Sequence, residues 1–182
     1  MNPALPDPLP RVGARVALRR LVATDLAAFQ AYRNDETVGR YQGWSAQTDA
    51  QALAFIEGMS GTALFPRGAW LQMAVADREA NTLMGDIGIC MAADERCAEL
   101  GFTLSPRFQG NGFATEAVRE ALALVFEHSG APRVVCVTDA RNNRSIRLLE
   151  RVGMRRVASA EAVFRGEACV EHIYTFSRAD RR

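Results

Sequence analysis

The chain of 182 residues has 22 Lys and Arg against 21 Asp and Glu, a net charge of +1. That balance gives no basic footprint for nucleic acid, and no apolar run approaches the ~20 residues that span a membrane as a helix. At 48% hydrophobic it can bury a core, and domains commonly run ~100–200 residues, so residues 1–182 are expected to form one domain. Met1–Pro10 holds four prolines and no apolar h-region, so residues 1–12 read as a loose arm and not as a signal peptide. Cys90, Cys97, Cys136 and Cys169 show no C-x-x-C or Cys/His spacing. No metal site is expected, and a reduced, cytoplasmic protein is the plain reading.

Arg15–Leu21 alternates and predicts a first strand. Thr24 is placed to cap a helix over Asp25–Arg33, with Asp25 in its first turn. An aromatic stretch, Val38–Trp44, lies between this helix and a second, Ala50–Met59, capped by Thr48 or Asp49. Trp70–Asp77, Thr82–Met91 and Ala98–Leu104 then read as an antiparallel meander, in which Gly85 and Gly88 suggest a bulge or a close backbone approach. A helix over Gly112–His128, a strand over Arg133–Thr138 and a helix over Asn143–Val152 follow. A hairpin closes the chain, Met154–Phe164 and Cys169–Phe176, turned at Arg165-Gly166. Strands first and then β-α-β-α-β-β gives an α+β fold, a mixed sheet with helices on both faces.

The most informative stretch is LGFTLSPRFQGNGFATEAVREALALVF, from Leu100 to Phe126. Ser105-Pro106 ends the strand, because proline cannot donate into a ladder. The glycine-rich turn Gln109-Gly110-Asn111-Gly112-Phe113-Ala114 leads into a helix. Its first N–H groups have no partner within the helix and lie at the positive end of the dipole, a seat for phosphate. A P-loop would need Lys-Ser/Thr after Gly112, and a dinucleotide loop needs G-x-G-x-x-G, where Thr115 stands at the third glycine. The spacing that fits is Gln109-x-x-Gly112-x-Ala114. A second stretch, Asn142-Asn-Arg-Ser145 running to Gly153-Met154, follows the Val134–Thr138 strand about 30 residues on.

Together these resemble the acyl-CoA signatures of the GCN5-related N-acetyltransferases (GNAT), with Met154 where phenylalanine is usual. The wording is most similar to the RimJ/RimL-like enzymes that acetylate N-termini of ribosomal proteins, and the likeness runs from about Arg15 to Phe176. The resemblance implies a mostly antiparallel twisted sheet of about seven strands with one splayed parallel pair and about four helices. It implies acetyl-CoA as co-substrate and direct transfer, in a ternary complex, to a primary amine, first of all a peptide N-terminal α-amine. A small-molecule amine is the rival acceptor, and a non-catalytic acyl-CoA-binding protein the rival class; a homodimer is left open.

On the same footing Phe102, Thr103 and Leu104 would lie along pantetheine, with the N–H groups of Phe102 or Leu104 hydrogen-bonding pantetheine and the thioester oxygen. Gln109, Gly110, Asn111, Gly112, Phe113, Ala114 and Thr115 would hold the diphosphate, and Asn142 the pantetheine arm. Relatives keep a tyrosine seven residues beyond that asparagine; here Leu149 stands there, and Ser145 becomes the candidate acid. Glu99, Asp86 and Glu161 compete as general base, with Asp86 also a candidate for contact with the acceptor. Tyr41 and Trp44 are candidates to line the acceptor site, although lone aromatics and carboxylates are more often core and surface residues.

Overall fold

The computed structural model describes residues 7–180. Eight strands form one sheet: β1 (Arg11–Val12), β2 (Val16–Arg19), β3 (Trp70–Asp77), β4 (Leu83–Met91), β5 (Ala98–Leu104), β6 (Arg133–Asp139), β7 (Arg155–Phe164) and β8 (Glu167–Ser177). Their spatial order is β1-β2-β3-β4-β5-β6-β8-β7, and every neighbouring pair is antiparallel except β5–β6. Five helices accompany them: α1 (Leu26–Arg33), α2 (Glu36–Gly39), α3 (Asp49–Ser60), α4 (Phe113–His128) and α5 (Asn143–Arg151).

Period-two alternation divides the sheet residues between two cores. On one face Leu71, Met73, Ile87, Ile89, Leu100 and Val134 pack with Ala117, Val118, Ala121 and Val125 of α4 and Leu149 of α5. On the other, Ala74 and Leu83 pack with Phe29 and Tyr32 of α1 and Ile56 of α3. Each fully buried branched side chain contributes about 1.5–3 kcal/mol relative to exposure.

The N-terminal elements depart from the sequence expectations. Arg11–Val12, expected within the loose arm, pair with β2 as an edge strand, and Arg11 binds Glu120 and Glu127 of α4. The part of the arm before Asp7 lies outside the described residues. Thr24 caps nothing: residues Ala23–Asp25 make a 3₁₀ turn before α1. The Asp25 carboxylate accepts from the Val22 N–H and forms a two-point pair with Arg19 at 2.7 and 2.8 Å. Thr48, by contrast, makes a full capping box with Gln51 at the start of α3.

Gly85 is the close approach the sequence suggested. A Cβ there would lie 2.1 Å from the Thr103 carbonyl oxygen, and the β3–β4 register shifts beside it, between Val75 and Ala76. No helix among the described residues is long and apolar enough to cross a membrane.

Candidate active site

β5 and β6 run parallel but pair only at Ala98–Val134 and Glu99–Val135. Beyond that point they diverge, and a cavity of about 100 Å³ opens between them. Leu100, Gly101 and Phe102 line one wall, Cys136 to Asp139 the other, and Asn142 and Ser145 of the α5 start line it as well. Tyr41 and Gln42, from the chain after α2, and Phe164, Cys169 and Glu171, from the last hairpin, complete the lining.

The hydrogen-bond phase of β5 decides which backbone groups enter this gap. Ala92 N–H donates to Cys97 at 2.9 Å, and Ser105 N–H donates to Met84 at 2.8 Å. In an antiparallel ladder bonded and non-bonded pairs alternate. Glu99, Gly101 and Thr103 therefore bond to β4, while Leu100, Phe102 and Leu104 point their N–H and C=O away from it, into the gap. Side chains already meet two of these carbonyls: Gln42 Nε2 donates to Phe102 at 3.3 Å and Gln109 Nε2 to Leu104 at 2.8 Å. Phe102 and Leu104 thus turn their main-chain groups toward β6. Thr103 is a correction: its peptide belongs to the β4 ladder and its side chain is buried beside Asp86.

At the wide end lies the glycine turn. Gly110 and Gly112 adopt φ of +81° and +82°, a region open to glycine at little cost. Gly110 has no atom within 4 Å of its would-be Cβ, so the approach to its backbone is clear. Asn111 Nδ2 donates to the Gln109 carbonyl. Phe113 packs edge-on against Phe108 and under Arg15, and Thr115 is buried, so the turn offers a ligand its main chain from Gly110 to Ala114. Arg15 steadies it by donating to the Asn111 carbonyl at 3.0 Å and to Glu116 at 3.1 Å. On the other side Arg144 Nη1 donates to Gln109 Oε1 at 2.8 Å.

Asn142 caps α5: its Oδ1 accepts from the Ser145 N–H at 3.2 Å. Its Nδ2 and the Ser145 hydroxyl remain available to the cavity. Leu149 is fully buried, as its apolar side chain requires.

Glu99 projects from the last paired residue of β5, on the face opposite α4. Partial desolvation and then the charge of Glu171 raise its pKa above the usual carboxylate range. Glu171 lies on β8, opposite Asp139 and Ala160, and it, not Glu161, is the hairpin carboxylate at the cavity; Glu161 is exposed on the edge strand β7. Asp139 is held below its usual range by hydrogen bonds from the Arg141 side chain, outweighing its burial.

Two acceptor-site expectations need correction. Asp86 is 2% exposed and is occupied by the Tyr32 hydroxyl at 2.5 Å and by Arg33 at 2.9 Å. It is a structural ion pair and is not among the residues that line the cavity. Trp44 stacks on that same Arg33 at 3.9 Å and donates its indole N–H to the Arg33 carbonyl. Tyr41 does line the cavity. Sequence reasoning missed Gln42 and Arg165. Arg165, at the hairpin tip, donates to the carbonyls of Gln42 at 3.0 Å and of Trp44 at 2.5 Å, tying the hairpin to the 40–48 segment across one side of the cavity. No spacing rule announces a contact over 120 residues long.

The profile of the Acetyltransferase (GNAT) domain matches residues 15–155, and the chain belongs to that family. It is 28% identical over 144 residues to the uncharacterised N-acetyltransferase YoaA of Bacillus subtilis, covering 78% of this chain and 80% of that one. An acetyltransferase (GNAT family) from Bacillus anthracis superposes with a TM-score of 0.81 at 23% identity, over 91% of this chain and 96% of the other. RimL, a ribosomal α-N-protein acetyltransferase solved with coenzyme A, superposes with a TM-score of 0.79 at 13% identity, over 94% and 98%. The protein is therefore an acetyl-CoA-dependent N-acetyltransferase, and the mixed sheet with its single splayed parallel pair is the GNAT fold. The residues present fit the co-substrate: a gap with inward N–H groups for a pantetheine strand, and a turn whose main chain is open at Gly110 for the diphosphate. Among the described residues no cluster of three or more His, Cys, Asp or Glu could hold a metal ion.

Proposed function

We propose that the chain transfers the acetyl group directly to a peptide N-terminal α-amine while both substrates are bound. The observation that carries this is the β5–β6 gap, lined by Phe102, Asn142 and Ser145, with Leu104 turned toward β6 further along β5 and Glu99 at the pair where the two strands part. Backbone donors fixed in a strand favour the charge that develops on a thioester oxygen without reorganising. Phe102 N–H is the donor for that oxygen, and Asn142 Nδ2 steadies the pantetheine arm. Glu99, its pKa raised, takes the proton of the attacking amine. Ser145, directly or through one water, gives a proton to the departing thiolate. An α-amine with pKa near ~8 is partly neutral at pH 7 and asks little of its base, whereas a lysine near ~10.4 asks much more. The structural likeness to RimL supports the peptide acceptor.

The test is acetyl-CoA consumption with three sets of acceptors: peptides with free N-termini, the same peptides blocked at the N-terminus but holding a free lysine, and small amines. Turnover with the first set alone is expected. Turnover confined to small amines would overturn the acceptor. Tight acetyl-CoA binding without turnover on any set would leave a non-catalytic binder.

A further inference from the structure

α5 carries Arg144, Arg147 and Arg151 at spacings of three and four, which puts them on one side of the helix. All three are exposed, while the fully buried Leu149 anchors the opposite face and Leu148, beside the stripe, is buried as well. Arg144 uses one N–H on Gln109, and a guanidinium has five. The Arg147 and Arg151 guanidinium groups have no hydrogen bond or ion pair among the described residues. The stripe therefore contributes little to the fold and presents unneutralised charge.

Its position gives it a use. The cavity ends at Asn142 and Ser145, the diphosphate turn begins at Gln109, and the Arg144–Gln109 hydrogen bond joins the two. A ligand with its pantetheine in the gap and its diphosphate on the turn sends its nucleotide outward past Arg144. Arg147 stands three residues further, about 4.5 Å along the axis. The turn's backbone can serve the diphosphate, while the third phosphate of acetyl-CoA, the monoester on the ribose 3′ oxygen, lies further out on the nucleotide and calls for donors of its own. Two guanidinium forks three residues apart match the three oxygens of such a dianion. Arg151 lies another turn away, with Arg119 donating to its carbonyl, and is out of reach.

We propose that Arg144 and Arg147 form the seat of the 3′-phosphate, so that the enzyme distinguishes coenzyme A from its dephosphorylated form. The proposal rests on acetyl-CoA as donor and is independent of the acceptor. The experiment is calorimetric titration of the full chain with acetyl-CoA and with acetyl-3′-dephospho-CoA. The wild type should bind acetyl-CoA tenfold or more tighter. Arg147→Gln should erase most of that preference and leave the affinity for the dephospho form unchanged. Arg144→Gln should narrow the ratio too, with some loss for both ligands because Gln109 is released. Arg151→Gln should keep the full preference, and melting curves confirm that each variant is folded. Equal affinity of the wild type for the two ligands overturns the seat. So does an Arg147→Gln variant that keeps the ratio. Single-stranded RNA is the remaining arm: if Arg147→Gln abolishes RNA binding while the ratio persists, the stripe serves a polyanion and the proposal is wrong.

Discussion

At the scale of single residues the structure separates two roles that Ser145 could combine. The α5 cap is made by the Asn142 side chain to the Ser145 main chain, so the hydroxyl takes no part in it. Ser145→Ala should lower kcat roughly tenfold to a hundredfold, the low end of general acid catalysis, with the melting temperature nearly unchanged. Asn142→Ala should instead cost about 1 kcal/mol of stability. Full turnover in Ser145→Ala would remove it as the acid. Glu99 makes a pH-dependent claim. A base must be deprotonated, and its raised pKa places the acid limb of kcat/KM above the ordinary glutamate value near ~4.3. Glu171→Gln removes one of the two causes, the neighbouring negative charge, so the limb should move to lower pH. Desolvation, the larger cause, keeps it from returning fully. A limb that stays in place when Glu171 is neutralised would mean that another group is the base.

At the scale of elements, β4 and β5 set the shape of the gap through Gly85. Gly85→Ala brings a methyl to 2.1 Å from the Thr103 oxygen and 2.8 Å from the Leu104 Cα. Both are backbone atoms, so β5 itself must shift. The variant should lose roughly 1–3 kcal/mol, the range of overpacking, and lose activity beyond what its residual folded fraction explains. Gly110→Ala, in open space but at φ +81°, should cost only about 1–2 kcal/mol. Denaturant melts with kinetics on both variants check the contrast. Most of these elements were legible, because alternation and helical period write themselves into side chains: β3 and β5 begin and end where the pattern does. Arg11–Val12 and Glu36–Gly39 were not, since two residues of strand or a single helical turn carry no period. The diphosphate turn was legible because positive φ demands glycine. Glu171 was passed over in favour of Glu161, and Asp86 was misjudged, for a common reason: a carboxylate's role depends on the register of neighbouring strands and on which arginine arrives from elsewhere, and neither is local.

For the whole molecule, a ligand that binds only the native state at 100 times its Kd adds about 2.7 kcal/mol. A protein of this length moves about 2–4 °C per kcal/mol. Acetyl-CoA should therefore raise the melting temperature by roughly 5–11 °C, and NADH should leave it in place; a shift with NADH alone would reverse the choice of cofactor. The Arg165 bridge has a consequence for traffic. The hairpin tip and the 40–48 segment are fastened together over one side of the gap, while the arginine-flanked turn opens on another. Under the proposed function the two substrates would arrive by separate doors. The nucleotide can come and go past α5 with the bridge intact, but whatever passes beneath the bridge must be slender. For the proposed peptide acceptor this means that a chain end would thread the doorway with the bridge intact, whereas a side chain on the flat surface of a folded protein would have to unfasten it first.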